Sequence, residues 1–197
     1  MPKMMYDRVG QRKYLTKAER EAFVETARYK SDAVRTFCWT IAATGCHISE
    51  ALALTGMNLD FEAKQVTIEC LKKREKQISR AVPLPAELLA HLNVLIDSKS
   101  HLNERLWSWS RMTGYRRILE VMEQAGISGP QATPKGLRHG FGVCAIQSQV
   151  PLNMIQRWLG HADIKTTAIY ASATDVEEHE IAARMWGKER QNAELEK

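Results

Sequence analysis

The chain has 197 residues, 44% hydrophobic and 26% charged, the balance of a globular protein with enough chain to bury a core. Lysine and arginine outnumber aspartate and glutamate 28 to 23, and the net charge of +5 permits an anionic partner such as nucleic acid without requiring one. No stretch approaches the roughly 18 apolar residues of a membrane span, and the basic residues 1–13 lack the apolar segment of a signal peptide, so a cytoplasmic setting and no membrane partner are expected.

In chain order, Thr16 and Glu19 have the spacing of a capping box, and Ala22, Phe23 and Ala27 follow at helical intervals, which predicts a helix over 17–29. Ser31-Asp32 can cap a second helix with the stripe Val34, Phe37, Cys38 and Ile41, closed by Gly45. A short helix over 49–54 follows. Val66, Ile68 and Cys70 alternate with polar residues as a strand does; a charged loop over 72–77 leads to a partner strand near 78–82. Pro85 suits the first position of the next helix, whose inner face is Leu88, Leu89, Leu92, Leu95 and Ile96.

Trp107 and Trp109 are expected on a short extended segment, and Ile118, Leu119 and Met122 on a helix closed by Gly126. Thr133-Pro134 opens a helix that carries Leu137, Phe141 and Cys144 or Ala145 inward. A short helix over 151–159 stops at Gly160, Asp163 caps one reaching Tyr170, and residues from Asp175 begin a last helix with Ile181, Met185 and Trp186 on one face. The fold class is α+β, mainly α, with one small antiparallel sheet. A basic tail (1–12), one domain (13–187) and a polar tail (188–197) complete the expected organisation. Cys38, Cys46, Cys70 and Cys144 lack metal-ligand spacing, so they read as reduced thiols, and no metal or other cofactor is expected.

Three segments carry candidate chemistry: Thr44-Gly45-Cys46-His47-Ile48-Ser49-Glu50, Thr133-Pro134-Lys135-Gly136-Leu137-Arg138-His139, and Leu159-Gly160-His161 with Tyr170 nine positions later. Lys135 and Arg138 share one face just inside a helix start, where unpaired N–H groups and the helix dipole favour an anion. Two cations there make either a phosphate cradle or a solvated basic turn. His161 alone reads more readily as a loop or partly buried histidine than as a catalyst, and Tyr170 alone as a packed aromatic.

Taken together, the order and spacing of these segments resemble the tyrosine recombinase, or phage integrase, family over roughly residues 13–186. That family has an arginine within Thr-Gly-x-Arg-x-Ser-Glu, a lysine on a β-hairpin, a His/Lys-x-x-Arg pair, a Leu-Gly-His segment and a nucleophilic tyrosine. The resemblance implies that Tyr170 attacks a DNA phosphate, giving a 3′-phosphotyrosine link and a free 5′-hydroxyl. Arg138 and His161 would stabilise the transition state, and Lys135 stands where the family usually has a histidine.

A hairpin lysine would protonate the leaving oxygen; Lys72 is the first choice, Lys73 the second and Lys76 the third. Lys73, Arg74, Lys76, Arg80 and His139 are the further candidates for contacting DNA. The family's first arginine falls on His47, which implies a slow enzyme or, as the alternative, an inactive DNA-binding or accessory protein. The resemblance also implies double-stranded DNA as partner, self-association into a synaptic tetramer through the C-terminal helix, and a chain without the family's N-terminal core-binding domain.

Overall fold

The computed structural model describes residues 5–70 and 78–171. The charged loop with Lys72, Lys73, Arg74 and Lys76, and the helix expected from Asp175 onward, lie outside them.

α1 (Lys17–Arg28) begins with the expected capping box: the Thr16 hydroxyl accepts from the Glu19 N–H, and the Glu19 carboxylate accepts from the Thr16 N–H at 2.8 Å. α2 (Asp32–Thr44) runs through the core, with eight of its residues buried, and ends at Gly45. Two of its buried threonines are satisfied locally, Thr36 and Thr44 donating back to the carbonyls of Asp32 and Thr40. α3 (Ile48–Ala53) follows at once, then a 3₁₀ turn over Gly56–Asn58.

The sheet has three antiparallel strands in sequential order, β1 (Leu59–Asp60), β2 (Gln65–Glu69) and β3 (Ser79–Pro83). The two-residue β1 adds to the two strands expected. Val66 faces Val82 and Ile68 faces Arg80 across the β2–β3 ladder, so all four occupy the buried side. The stem ends where the Cys70 N–H donates to the Ile78 carbonyl.

α4 (Ala86–Asp97) starts one residue later than expected, with Pro85 as its cap. The segment with Trp107 and Trp109 forms no strand; both indoles instead pack edge-on against Phe37, at 5.2 and 5.3 Å. α5 (Arg111–Gln124) is capped by the Ser110 hydroxyl, and α6 (Pro134–Gln147) by the Thr133 hydroxyl accepting from Gly136. α7 (Leu152–Leu159) ends at Gly160. α8 (Ile164–Ala168), capped by the Asp163 side chain, stops two residues before Tyr170 rather than reaching it.

Two apolar clusters hold these elements. The larger joins α1 to α5, the sheet and Leu137 of α6. The smaller is Met5, Phe141, Val143, Ala145, Ile155, Leu159 and Tyr170. Met5 is buried within the expected basic tail, while residues 8–11 stay exposed. Tyr6 bridges Arg12, Lys13 donates to the Met5 carbonyl, and Arg12 pairs with Glu19 through both guanidinium nitrogens. α6 belongs to both clusters, which buries nine of its residues and brings its N-terminal turn under the functional cleft. Among the described residues no helix is long and apolar enough to cross a membrane, and no cluster of side chains could hold a metal ion.

Candidate active site

Two tight turns face the start of α6. Gly45 ends α2 at φ 63° and Gly160 ends α7 at φ 70°, left-handed conformations that glycine adopts without steric cost, so both helices stop abruptly and expose their last carbonyls. Between these turns and α6 lies a cleft of about 930 Å³. His47, Lys135, Arg138, His139, His161 and Tyr170 all line it, together with Arg111 and Tyr115 of α5. Six of the residues singled out in the sequence therefore converge on one space.

Arg138 is the hinge of the arrangement. It is buried, and its guanidinium donates to the Gly45 carbonyl at 2.5 Å and to the Leu159 carbonyl at 2.7 Å, tying the two turns together. Burial draws its pKa down and the Tyr170 and Glu50 side chains push it back; an arginine stays charged throughout. Lys135, one helical turn earlier, is exposed at the cleft mouth. His47 caps the start of α3 and is also exposed, its own N–H held by the Glu50 carboxylate at 2.9 Å.

Tyr170 sits deeper. Its side chain is 1% exposed, its ring stacks on His161 at 6.1 Å, and its hydroxyl is 3.2 Å from His139 Nδ1. Gly142 makes this seat possible, because a Cβ there would stand 2.5–2.7 Å from three ring carbons of Tyr170. His161 Nδ1 in turn lies 2.9 Å from the buried Thr167 hydroxyl, which fixes the imidazole plane.

The cationic surroundings set the protonation states. Burial, then the charges of Lys135, Arg138 and Lys13, hold the His139 imidazole down to about 4. Burial, then Arg138, His139, His47 and Arg80, hold His161 down to about 4 as well. Both rings are therefore neutral near pH 7. Burial raises the Tyr170 phenol above its usual value, with Arg138 pulling the other way.

Two of the expected DNA contacts stand elsewhere. Arg80 is 5% exposed, on the inner face of β3. Its guanidinium grips Glu50 at 2.7 Å, its Nε donates to the Trp158 carbonyl at 2.6 Å, and Nη1 approaches Cys70 Sγ at 3.2 Å. It therefore braces the cleft from behind rather than meeting a phosphate. Burial alone would raise the Glu50 carboxyl, but Arg80's hydrogen bonds and charge hold it below its usual value.

The strand period carried this signal: Val82 faces the core, so Arg80, two residues earlier, must as well. His139 likewise is buried against Tyr170 rather than on the surface. Arg111 and Tyr115 were missed altogether. They sit one helical turn apart on α5, and only the tertiary fold brings that turn to the cleft.

The chain matches the phage integrase family over residues 13–177. It is 31% identical over 146 residues to the tyrosine recombinase XerD of Neisseria meningitidis serogroup A, covering 68% of this chain and 48% of that protein. It is 27% identical over 174 residues to the tyrosine recombinase XerA of Pyrococcus furiosus, covering 82% and 58%. The chain thus spans about half the length of these relatives.

Among solved structures, a XerA recombinase superimposes with a TM-score of 0.74 at 24% identity, covering 87% of this chain and 64% of that one. The catalytic domain of bacteriophage HP1 integrase superimposes with 0.60 at 21% identity, covering 87% and 93%. By its sequence match and by its fold, the chain belongs to the phage integrase family and has the architecture of a tyrosine recombinase catalytic domain.

Proposed function

We propose that this chain breaks and rejoins double-stranded DNA at a specific site through a 3′-phosphotyrosine intermediate on Tyr170. The observation that carries the reading is the convergence of Tyr170, Arg138, His161 and Lys135 on one cleft, with two neutral imidazoles beside the phenol. In the cutting step the Tyr170 oxygen bonds to phosphorus, the bond to the 5′-oxygen breaks, and that oxygen leaves with a proton. Rejoining reverses each change, and the covalent link conserves the phosphodiester's energy, so no external energy source is consumed.

Arg138 and Lys135 supply positive charge for the developing pentavalent phosphate, and His161 donates a hydrogen bond to it. Lys72 is the first candidate for protonating the leaving oxygen, with Lys73 next. Arg111 adds a cation at the cleft wall. Lys73, Arg74 and Lys76 would follow the DNA backbone. Assembly on DNA through the C-terminal helix, and action in the cytoplasm, belong to the same proposal. One recombinase with a similar fold, XerH, has been solved bound to its difH DNA.

His47 favours a second reading. Arginine is always charged and can hold two phosphate oxygens, whereas histidine has a reference pKa of about 6.5 and cannot form that fork. Losing one such donor costs about 2.7–4 kcal/mol. The weak form of the proposal is a slow enzyme; the alternative is a protein that binds DNA without turnover.

A nicked suicide duplex built on a site found by footprinting separates them. A covalent adduct that disappears in Tyr170→Phe supports cleavage. Salt-sensitive binding without an adduct, in this chain and in His47→Arg alike, supports the accessory reading.

A further inference from the structure

We infer that His139 is the proton acceptor for Tyr170 when it attacks the phosphate. The inference rests on the strand-transfer reading above and assigns the phenolic proton a destination within it.

The geometry is direct. His139 Nδ1 lies 3.2 Å from the Tyr170 hydroxyl, the phenol's one hydrogen-bond partner among the described residues. The rings stand 5.8 Å apart at 58°, and Tyr170 is held there as a member of the smaller apolar cluster. His139 is 7% exposed, its Nε2 has no partner, and it follows Arg138 directly on α6. The base and the cation that meets the phosphate are thus held on one rigid helix.

Between the two partners the phenol is the stronger acid and the imidazole nitrogen the stronger base, so the hydroxyl donates and Nδ1 accepts. Lys135 lines the same cleft but makes no hydrogen bond to the phenol among the described residues. His161 Nδ1 is engaged with Thr167.

The groups facing His139 are Lys135 and Arg138 of α6, Lys13 of the N-terminal segment, His161 after α7 and Tyr170 after α8. Burial, and then the three cations, disfavour a further positive charge and keep the resting ring neutral. A bound phosphodiester brings negative charge into the same cleft, offsets those cations, and makes the imidazole a better base when the attack begins. As the oxygen bonds to phosphorus its proton passes to Nδ1. In rejoining, the imidazolium returns that proton to the departing phenolate.

Two measurements test this. Nitrogen NMR of histidine-labelled whole chain, without DNA, should show the His139 proton on Nε2 and a bare Nδ1 whose shift changes in Tyr170→Phe. A proton on Nδ1 overturns the inference, because a nitrogen already protonated cannot accept another. The second is adduct formation by His139→Asn, which can keep a hydrogen bond to the phenol but cannot carry its proton.

The assay uses the chain and its His47→Arg form, on DNA with a bridging 5′-sulfur so that the leaving group needs no proton. Adduct formation should fall about a hundredfold or more near pH 7, with DNA affinity unchanged, and the gap should narrow as pH rises and hydroxide replaces the base. An unchanged rate overturns the role of His139 alone. If DNA binds but no Tyr170-dependent adduct forms in any variant, the strand-transfer reading fails and takes this assignment with it.

Discussion

Arg80→Met tests how the cleft is braced. The guanidinium it removes is the partner of a 7% exposed carboxylate, Glu50, and Glu50 also holds the first N–H of the turn that presents His47. Methionine fills similar volume without charge, so the main effect is a buried carboxylate left unpaired. Breaking a buried pair from one side costs about 3–5 kcal/mol, and the charged hydrogen bond to the Trp158 carbonyl adds about 1.5–3 kcal/mol before relaxation. We expect a loss of about 5 kcal/mol near pH 7, or roughly 10–20 °C in Tm for a domain of this size.

Glu50 also sets the pH dependence of that loss. Its native pKa is depressed, so its contribution is present above the unfolded carboxylate value and fades as pH falls through the lower native one. Without Arg80, burial raises the carboxyl instead, and protonation removes the penalty. The gap between the two proteins should therefore be widest at pH 7 and shrink toward pH 4. The double variant Glu50→Gln/Arg80→Met should lose less than Arg80→Met alone. Guanidinium unfolding at several pH values measures all three proteins. A loss below about 1 kcal/mol, or a double variant worse than the single, would refute the brace.

Other expectations follow from the same geometry. His47→Arg should raise adduct formation by about a hundredfold to a thousandfold; no gain would deny His47 that role. Gly142→Ala places a methyl within 2.5–2.7 Å of the Tyr170 ring. It should cost about 1–3 kcal/mol in denaturant unfolding and abolish the adduct while DNA binding persists. His139 and His161 both have native pKa values near 4 against an unfolded value of about 6.5. The unfolded chain therefore binds more protons in that window, and stability should fall as pH drops from about 6.5 to about 4. The loss is up to about 3 kcal/mol for His139 and less for the half-buried His161. Proton uptake on unfolding at pH 5, compared between this chain and His139→Asn, checks the share of the first ring.

Much of the scaffold was legible because helix boundaries are set by neighbours in sequence. Thr16 and Glu19 are three residues apart and satisfy each other's backbone, Thr133 caps Gly136, and Gly45 and Gly160 take the left-handed φ that ends a helix. The strand pair was readable from its two-residue alternation. The short β1 and the packing of Met5 were not, since each depends on a surface made elsewhere.

The spacing of Arg138, His161 and Tyr170 belonged to the sequence by itself, because a family resemblance is a pattern along the chain. Their final roles did not. His139 meets Tyr170 across 31 residues, Arg80 meets Glu50 across 30, and Arg138 reaches the Gly45 carbonyl across 93. Whether a histidine or an arginine lies on a DNA surface or in a buried brace depends on which partners desolvate and neutralise it. Local propensity carries no information about contacts at that separation; only the packed α6, the two glycine turns and the sheet edge bring them within reach.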